Sequence, residues 1–167
     1  MSKPKLLLRR AAAYAVDVAL LFVVLAPVGW LIERALRFVP QTGPEIWLAL
    51  LVNFSVPAWL YFTIADASRG GATLGKRWLQ LRVSRQDGAR LGGLRALGRT
   101  AAKLLPWELT HVSVFALAAD VGQFSVAQSV GLATGNALMM AYLACAAFTR
   151  GKRSVHDLIA RTVVGPA

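Results

Sequence analysis

Apolar residues are concentrated in four long blocks that polar stretches separate, at about residues 10–32, 46–65, 105–121 and 126–148. A helix needs about 20 mostly apolar residues to cross the hydrocarbon core of a bilayer. The third block is the weakest, because it contains Pro106, Glu108, His111 and Asp120. The pattern predicts an all-α integral membrane protein, with residues 1–167 forming one domain around a four-helix transmembrane bundle. An interfacial or re-entrant third helix is the alternative.

Composition and charge support this interpretation and orient it. Of the 167 residues, 56% are hydrophobic and 16% are charged, whereas a soluble domain carries about 25% charged residues. Of the 19 Lys and Arg residues, only Arg34 and Arg37 lie in the loop between the first and second blocks, and none lies between the third and fourth. Because cytoplasmic flanks are rich in Lys and Arg, we expect both termini, the loop 66–104 and the tail 149–167 to be cytoplasmic. A bacterial inner membrane is the expected location.

The net charge of +11 is explained by the same flanks. Nucleic-acid binding is not expected, since no basic face with interleaved aromatic residues is present. The expected partners are anionic lipid headgroups, together with a second copy of the chain in a homo-oligomer. The residues expected to contact headgroups are Lys76, Arg77, Arg95, Arg99 and Lys103.

The long loop has its own pattern. Leu81-Arg82-Val83 alternates, and Asp87-Gly88 is a turn signal, so a short strand or a β-hairpin is expected. The β-branched tail at residues 162–164 could pair with that strand. Leucines spaced along residues 91–105, with basic residues between them, predict an amphipathic helix on the inner membrane surface.

Asp17 lies inside the first apolar block, seven residues after Arg10. Seven residues place both side chains on nearly the same helix face, roughly 10 Å apart along the axis. A carboxylate at the bilayer centre costs about 2.5–3.5 kcal/mol on insertion scales, so it requires a partner or a function. Two interpretations remain open: Asp17 is the membrane carboxylate of a cation/proton exchange site, or Arg10 and Asp17 form a structural lock.

Polar residues also interrupt the second and third blocks. Pro57 removes the hydrogen bond to the carbonyl of Asn53 and favours a kink, which could expose Asn53 and Ser55 to a cation or be an ordinary packing bend. Glu108 and His111 could complete a cation site. Gly131 and Gly135 form a GxxxG pattern in the fourth block, which indicates close helix packing inside the protomer or at a dimer seam.

Enzyme and cofactor motifs are not evident. There is no nucleophile elbow, no HExxH and one cysteine, Cys145, so we expect no catalysis, no metal site and no cofactor. Residues 70–76 (GGATLGK) imitate a P-loop, but Arg77 stands where Ser or Thr would reach magnesium. The segment 154–157 is expected to cap a short helix, although His156 and Asp157 could also carry protons.

Taken in order, these motifs resemble the RDD family of small membrane proteins. The matching segments are residues 10–17 (RAAAYAVD), residues 71–88 with GATLGKR and DG, and residues 153–164 (RSVHDLIARTVV). The resemblance implies that Arg10 is the family arginine and that Asp17 and Asp157 are its two aspartates. It adds Gly75, Lys76 and His156 as motif residues. It also implies a role in transport, in some members cation/proton antiport.

Overall fold

The structure is a computed structural model that describes residues 3–118 and 124–167. In this part of the chain, α-helices are broken twice by short π-helical turns, and two strands form a small sheet. The elements are α1 (Lys3–Leu36), α2 (Gly43–Leu50), π1 (Leu51–Ser55), α3 (Val56–Ala67), α4 (Leu74–Trp78), β1 (Leu81–Arg85), α5 (Gly93–His111), π2 (Val112–Ala116), α6 (Val126–Phe148), α7 (Val155–Ile159) and β2 (Thr162–Pro166).

Three helical segments are long and apolar enough to cross a membrane in the described residues: Leu6–Leu36, Gly43–Ala67 and Val126–Phe148. They contain the first, second and fourth predicted blocks, and α6 has the bounds predicted for the fourth. The third block is helical from Leu105 as the continuation of α5 and π2, but it does not meet the same criterion. Its expected end near residue 121, with Asp120, lies outside the described residues. A fourth crossing and the orientation stay predictions.

The second spanning segment is continuous through α2, π1 and α3. Pro57 has no N–H to donate to the carbonyl of Asn53, and in π1 the Val56 N–H reaches back five residues to Leu51. A wider turn next to a proline is a known way for a helix to absorb a missing donor. The predicted interruption is therefore present, in the form of a π-helical turn.

The predicted strand forms, and the expected pairing with the tail is confirmed, whereas a local hairpin does not form. β1 pairs antiparallel with β2, with Val83 opposite Val164, and the turn at Asp87-Gly88 leads into no second strand within the loop. The tail supplies the partner because its alternating β-branched residues bury Thr162 and Val164. Gly71, at φ +56°, accepts the Val83 N–H through its carbonyl. A Cβ at Gly71 would stand 2.4 Å from the Val83 oxygen.

The chain divides into two compact units. The first comprises Met1–Leu20, Trp59–Lys103 and Met140–Ala167, and the second comprises Leu21–Ala58 and Leu104–Met139. The first unit has a hydrophobic core that joins α1, β1, α5 and β2, with Leu6, Ala13, Leu81, Val83, Leu91, Ala96 and Val164 buried. In the second unit, Gly131 and Gly135 of α6 pack against Ser113 of π2 and Thr110 of α5. The GxxxG pattern thus serves packing inside the protomer.

The amphipathic helix forms as α5, but its basic residues do not all face outward. Arg99 is 1% exposed and Lys76 is 8% exposed, so the prediction that both contact lipid headgroups is wrong. Carboxylates in the first unit hold them instead, since a buried cation requires a partner. Lys103 is half-buried, whereas Arg77 and Arg95 are exposed. Headgroup contact by Arg77 and Arg95 stays a prediction.

Candidate functional site

A chain of buried charges runs through the first unit. Asp157, in the first turn of α7, accepts a hydrogen bond from Arg10 at 2.6 Å and one from Arg99 Nη2 at 2.7 Å. Its Oδ2 also accepts the Ser154 N–H at 2.9 Å, so Ser154 is the N-cap of α7, as predicted, and Asp157 completes a capping box. Arg10 also donates a hydrogen bond to the Gly151 carbonyl, at 2.8 Å. The predicted motif residues Arg10 and Asp157 are therefore partners of each other.

Asp66 is the second carboxylate of this chain, and it lies at the end of α3. It is fully buried and holds both Lys76 and Arg99 through ion pairs. Arg99 thus bridges Asp66 and Asp157, and the sequence of contacts is Lys76–Asp66–Arg99–Asp157–Arg10. We call these five residues the ionic hub. Removing one member of a buried ion pair costs about 3–5 kcal/mol, because the other charge is left uncompensated.

Asp17 belongs to the same unit, but it forms no hydrogen bond or ion pair with a residue of the ionic hub. It is 1% exposed and accepts three hydrogen bonds from neutral donors: Tyr61 OH at 2.7 Å, Thr73 Oγ1 at 2.6 Å and the Gly75 N–H at 2.8 Å. We call Asp17, Tyr61, Thr73 and Gly75 the Asp17 cradle. A Cβ at Gly75 would stand 2.2 Å from the Ala13 carbonyl oxygen, so only glycine allows this approach.

The predicted Arg10–Asp17 lock is not present. Arg10 is engaged by Asp157 and Gly151, and no Lys or Arg forms an ion pair with Asp17 in the described residues. The physical reason is distance: the two turns of helix between them place the side chains roughly 10 Å apart, while closer partners are available to both.

Lys103 is the remaining charged group of this region. Its Nζ lies 3.2 Å from the Phe62 ring centroid and 4.6 Å from that of Tyr14, and it forms no ion pair with a described carboxylate. Burial lowers the pKa of the Lys103 ammonium well below its usual value, and the nearby cations Lys76 and Arg99 lower it further. Lys103 therefore releases a proton more easily than an ordinary surface lysine.

The two titratable groups of α7 have clear charge states. Burial by itself raises the pKa of the Asp157 carboxyl, but Arg99 and Arg10 outweigh it and hold the pKa below its usual value. Burial lowers the pKa of His156 well below its usual value, and Arg99 adds to this effect. The 3.5 Å contact between His156 Nε2 and Asp157 is too long to compensate. His156 is thus neutral at pH 7 and Asp157 is ionised.

The other predicted site residues belong to the second unit. Ser55 is buried and donates to Glu108 at 3.1 Å. Asn53 donates to Glu33 at 3.4 Å. The His111 ring packs edge-on against Trp107, with a centroid distance of 4.8 Å, and its Nδ1 is buried without a hydrogen-bond partner among the described residues. The structure thus brings Ser55 and Glu108 together, as predicted for a shared site, while Asn53 contacts Glu33, which was not predicted.

No sequence pattern indicated Asp66, Tyr61, Thr73 or Glu33 as site residues, and the assignment of Lys76 and Arg99 to lipid headgroups was wrong. Composition offered one signal for Asp66. The chain has 8 acidic and 19 Lys and Arg residues. With so few carboxylates, one such as Asp66 that lies beside the basic loop is expected to pair with a Lys or Arg. The described residues contain no cluster of three His, Cys, Asp or Glu side chains that could hold a metal ion.

Three helical segments long and apolar enough to cross a membrane indicate an integral membrane protein. More specifically, the model of the RDD family matches residues 4–161, and the chain belongs to that family. No curated protein and no solved structure matches the chain.

Proposed function

We propose that this RDD-family protein exchanges a small inorganic cation for a proton across the membrane, with the Asp17 cradle as the cation site. The observation that carries the proposal is a contrast between buried carboxylates. Asp66 and Asp157 are each neutralised by two cationic side chains, whereas Asp17 has only neutral donors. An ionisable group in a spanning helix without a structural counter-charge is a functional candidate.

The ligands suit a hard cation. The Tyr61 and Thr73 hydroxyl oxygens lie 2.7 and 2.6 Å from the Asp17 carboxylate oxygens, and hard cations prefer oxygen ligands. Each hydroxyl also accepts a backbone N–H, from Leu74 in the case of Tyr61 and from Lys76 in the case of Thr73. The cradle is therefore held in place by the N-terminus of α4 before any cation enters.

Lys103 is the group that carries the proton in this proposal. It interacts electrostatically with Asp17, and its ammonium contacts Tyr14, which lies one turn before Asp17 on α1. A cation bound at Asp17 repels the Lys103 ammonium, which then releases its proton to the aqueous side. The charge of the pair is unchanged by the exchange, because one cation enters and one proton leaves.

Proteoliposomes with a pH-sensitive dye inside test the proposal. We expect Na⁺, Li⁺ or K⁺ added outside to drive proton movement through the wild type. Asp17→Asn and Thr73→Val should abolish it, while Thr73→Ser keeps the hydroxyl and should retain flux. Lys103→Arg should abolish coupling, since arginine keeps its proton at all working pH values. Asp87→Asn, at an exposed position, is the control that should leave flux unchanged.

A non-transporting scaffold is the second candidate function. The complete pairing of the ionic hub and the three hydrogen bonds on Asp17 support it, because both describe a rigid, satisfied region. Under this alternative the wild type gives no proton movement with any of the three cations, and Asp17→Asn lowers thermal stability. Wild-type flux lost in a stably folded Asp17→Asn protein excludes the scaffold as the sole function.

A further inference from the structure

A cleft of about 330 Å³ lies within the second unit, between the later part of α1 and the α2–π1 segment. This volume is at the lower end of the range for small-molecule sites, about 300–1,000 Å³. Of the twelve residues that line it in the described part of the chain, ten are apolar, and the other two are Glu33 and Asn53. Neither the ionic hub nor the Asp17 cradle contributes to this cleft.

Among the described residues that line the cleft, Glu33 alone is charged. It is half-buried, accepts one hydrogen bond from Asn53 Nδ2 at 3.4 Å, and forms no ion pair with a described Lys or Arg. A carboxylate in an apolar wall is unfavourable unless a positive charge compensates it. The cleft therefore favours a cationic occupant and disfavours an anionic one.

Aromatic rings provide the second recognition element. Phe22, Trp30 and Phe54 line the cleft, and the negative face of an aromatic ring attracts cations, Trp most strongly. The Trp30 ring already contacts a cation, since the exposed Arg34 guanidinium lies 5.5 Å from its centroid. Trp30 and Glu33 line the same cleft, so an ammonium group that replaces Arg34 on Trp30 shares the cleft with the Glu33 carboxylate.

The π-helical turn holds the polar wall of the cleft in place. Asn53 belongs to π1 and packs against Gly29 of α1, where a Cβ would stand 3.2 Å from the Asn53 Cβ. This close approach puts the Asn53 amide beside Glu33, where it orients the carboxylate. π-helical turns occur frequently at functional sites.

The geometry points to a binding site for an organic ammonium with an apolar body: the charge pairs with Glu33 and the body covers the aromatic wall. A bare inorganic cation would leave the apolar wall uncovered. The ligand chemistry is the same whether the ammonium belongs to a soluble amine or to a lipid headgroup. The inference is independent of cation exchange at Asp17, and its test measures binding rather than flux.

The test uses the full chain in nanodiscs of phosphatidylglycerol, a lipid without an ammonium group. Calorimetric titration compares 3-phenylpropylammonium with 3-phenylpropanol, its uncharged counterpart, after subtraction of empty nanodiscs. We expect the amine to bind at least about tenfold more tightly, which corresponds to about 1.4 kcal/mol. Equal binding of amine and alcohol overturns the proposal.

Substitutions of Glu33 and of a control residue show whether the preference for the amine arises in the cleft. Glu33→Gln should remove the preference for the amine while leaving alcohol binding unchanged. Glu45→Gln is the matched control, because Glu45 caps α2 through the Thr42 N–H and does not line the cleft. Amine binding that is unchanged in Glu33→Gln, or lost equally in both variants, contradicts the proposal. If Glu33→Gln folds poorly, Trp30→Leu replaces it and should weaken amine binding.

A second set of nanodiscs containing phosphatidylethanolamine identifies the source of the ligand. A fall in the apparent affinity for 3-phenylpropylammonium supports the ethanolamine headgroup as the occupant, since it competes for Glu33. An unchanged affinity supports a soluble amine. Both outcomes require the amine preference of the first experiment.

Discussion

The two units of this protein differ in how their carboxylates are compensated. In the first unit, Asp66 and Asp157 are each held by two cations. Asp17 has no counter-charge among the described residues, but three short hydrogen bonds fix its position. In the second, the Glu33 carboxylate has one hydrogen bond of 3.4 Å and lines an open cleft. Satisfied networks make a region rigid, whereas a carboxylate without a counter-charge is available to a ligand. The first unit is therefore expected to dominate stability, and the second to tolerate change better.

The largest loss of stability is expected when the centre of the ionic hub is removed. Arg99→Met should destabilise the protein by about 3–5 kcal/mol, because Asp66 and Asp157 each lose a cation in a buried environment. Thermal unfolding in detergent, followed by tryptophan fluorescence, measures the loss. Arg95→Met on the exposed face of α5 should change stability by less than about 0.5 kcal/mol. Equal stability of the two variants would refute the importance of the ionic hub.

A smaller loss is expected at the Asp17 cradle. Gly75→Ala introduces a Cβ 2.2 Å from a backbone oxygen of α1, which cannot move without shifting the helix. We expect a cost of about 1–3 kcal/mol, as for other overpacked positions. Gly98→Ala is the matched control in the same unit, since no atom lies within 4 Å of its Cβ position. It should be neutral or stabilising by up to about 1 kcal/mol, because alanine favours a helix.

Acidification should weaken the first unit through His156. Its pKa is lower in the folded than in the unfolded protein, so the unfolded chain binds more protons and stability falls as the pH drops below about 6.5. The slope approaches about 1.4 kcal/mol per pH unit. Thermal unfolding between pH 7.5 and 5.0 measures it. His156→Phe should reduce this slope, and Lys103, whose pKa is also lowered by burial, accounts for the rest. The contribution of Asp157 is lost only below about pH 4.

The smallest effect on stability is expected in the second unit. Pro57→Ala restores an N–H that can donate to the Asn53 carbonyl, so π1 should convert to a regular α-helical turn. Stability should change by less than about 1 kcal/mol, while amine binding at Glu33 weakens because Asn53 rotates away. Unfolding and calorimetric titration on the same sample separate the two effects. A large loss of stability with intact amine binding would invert the comparison between the units.

The sequence pattern predicted the helical elements well and their partners poorly. The blocks at residues 46–65 and 126–148 and the strand at residues 81–83 were predictable, because period and length depend on local composition. The pairing of this strand with the tail was also predictable, since both segments have short strand patterns, and it takes the place of the local hairpin. The lock between Arg10 and Asp17 was wrong because spacing along a helix gives a face and a distance, but not the competing partners that other segments bring.

By itself, the sequence determined that this is a helical membrane protein of the RDD family, with basic flanks and carboxylates in or beside its apolar helices. Apolar length and motif order are properties of the chain alone. Only the tertiary structure decided that Arg10 pairs with Asp157, that Arg99 is buried between two aspartates, and that Asp17 is left with neutral donors. The physical reason is that a charge in a low-dielectric interior takes the nearest compensating group in space, and that group comes from a distant part of the chain.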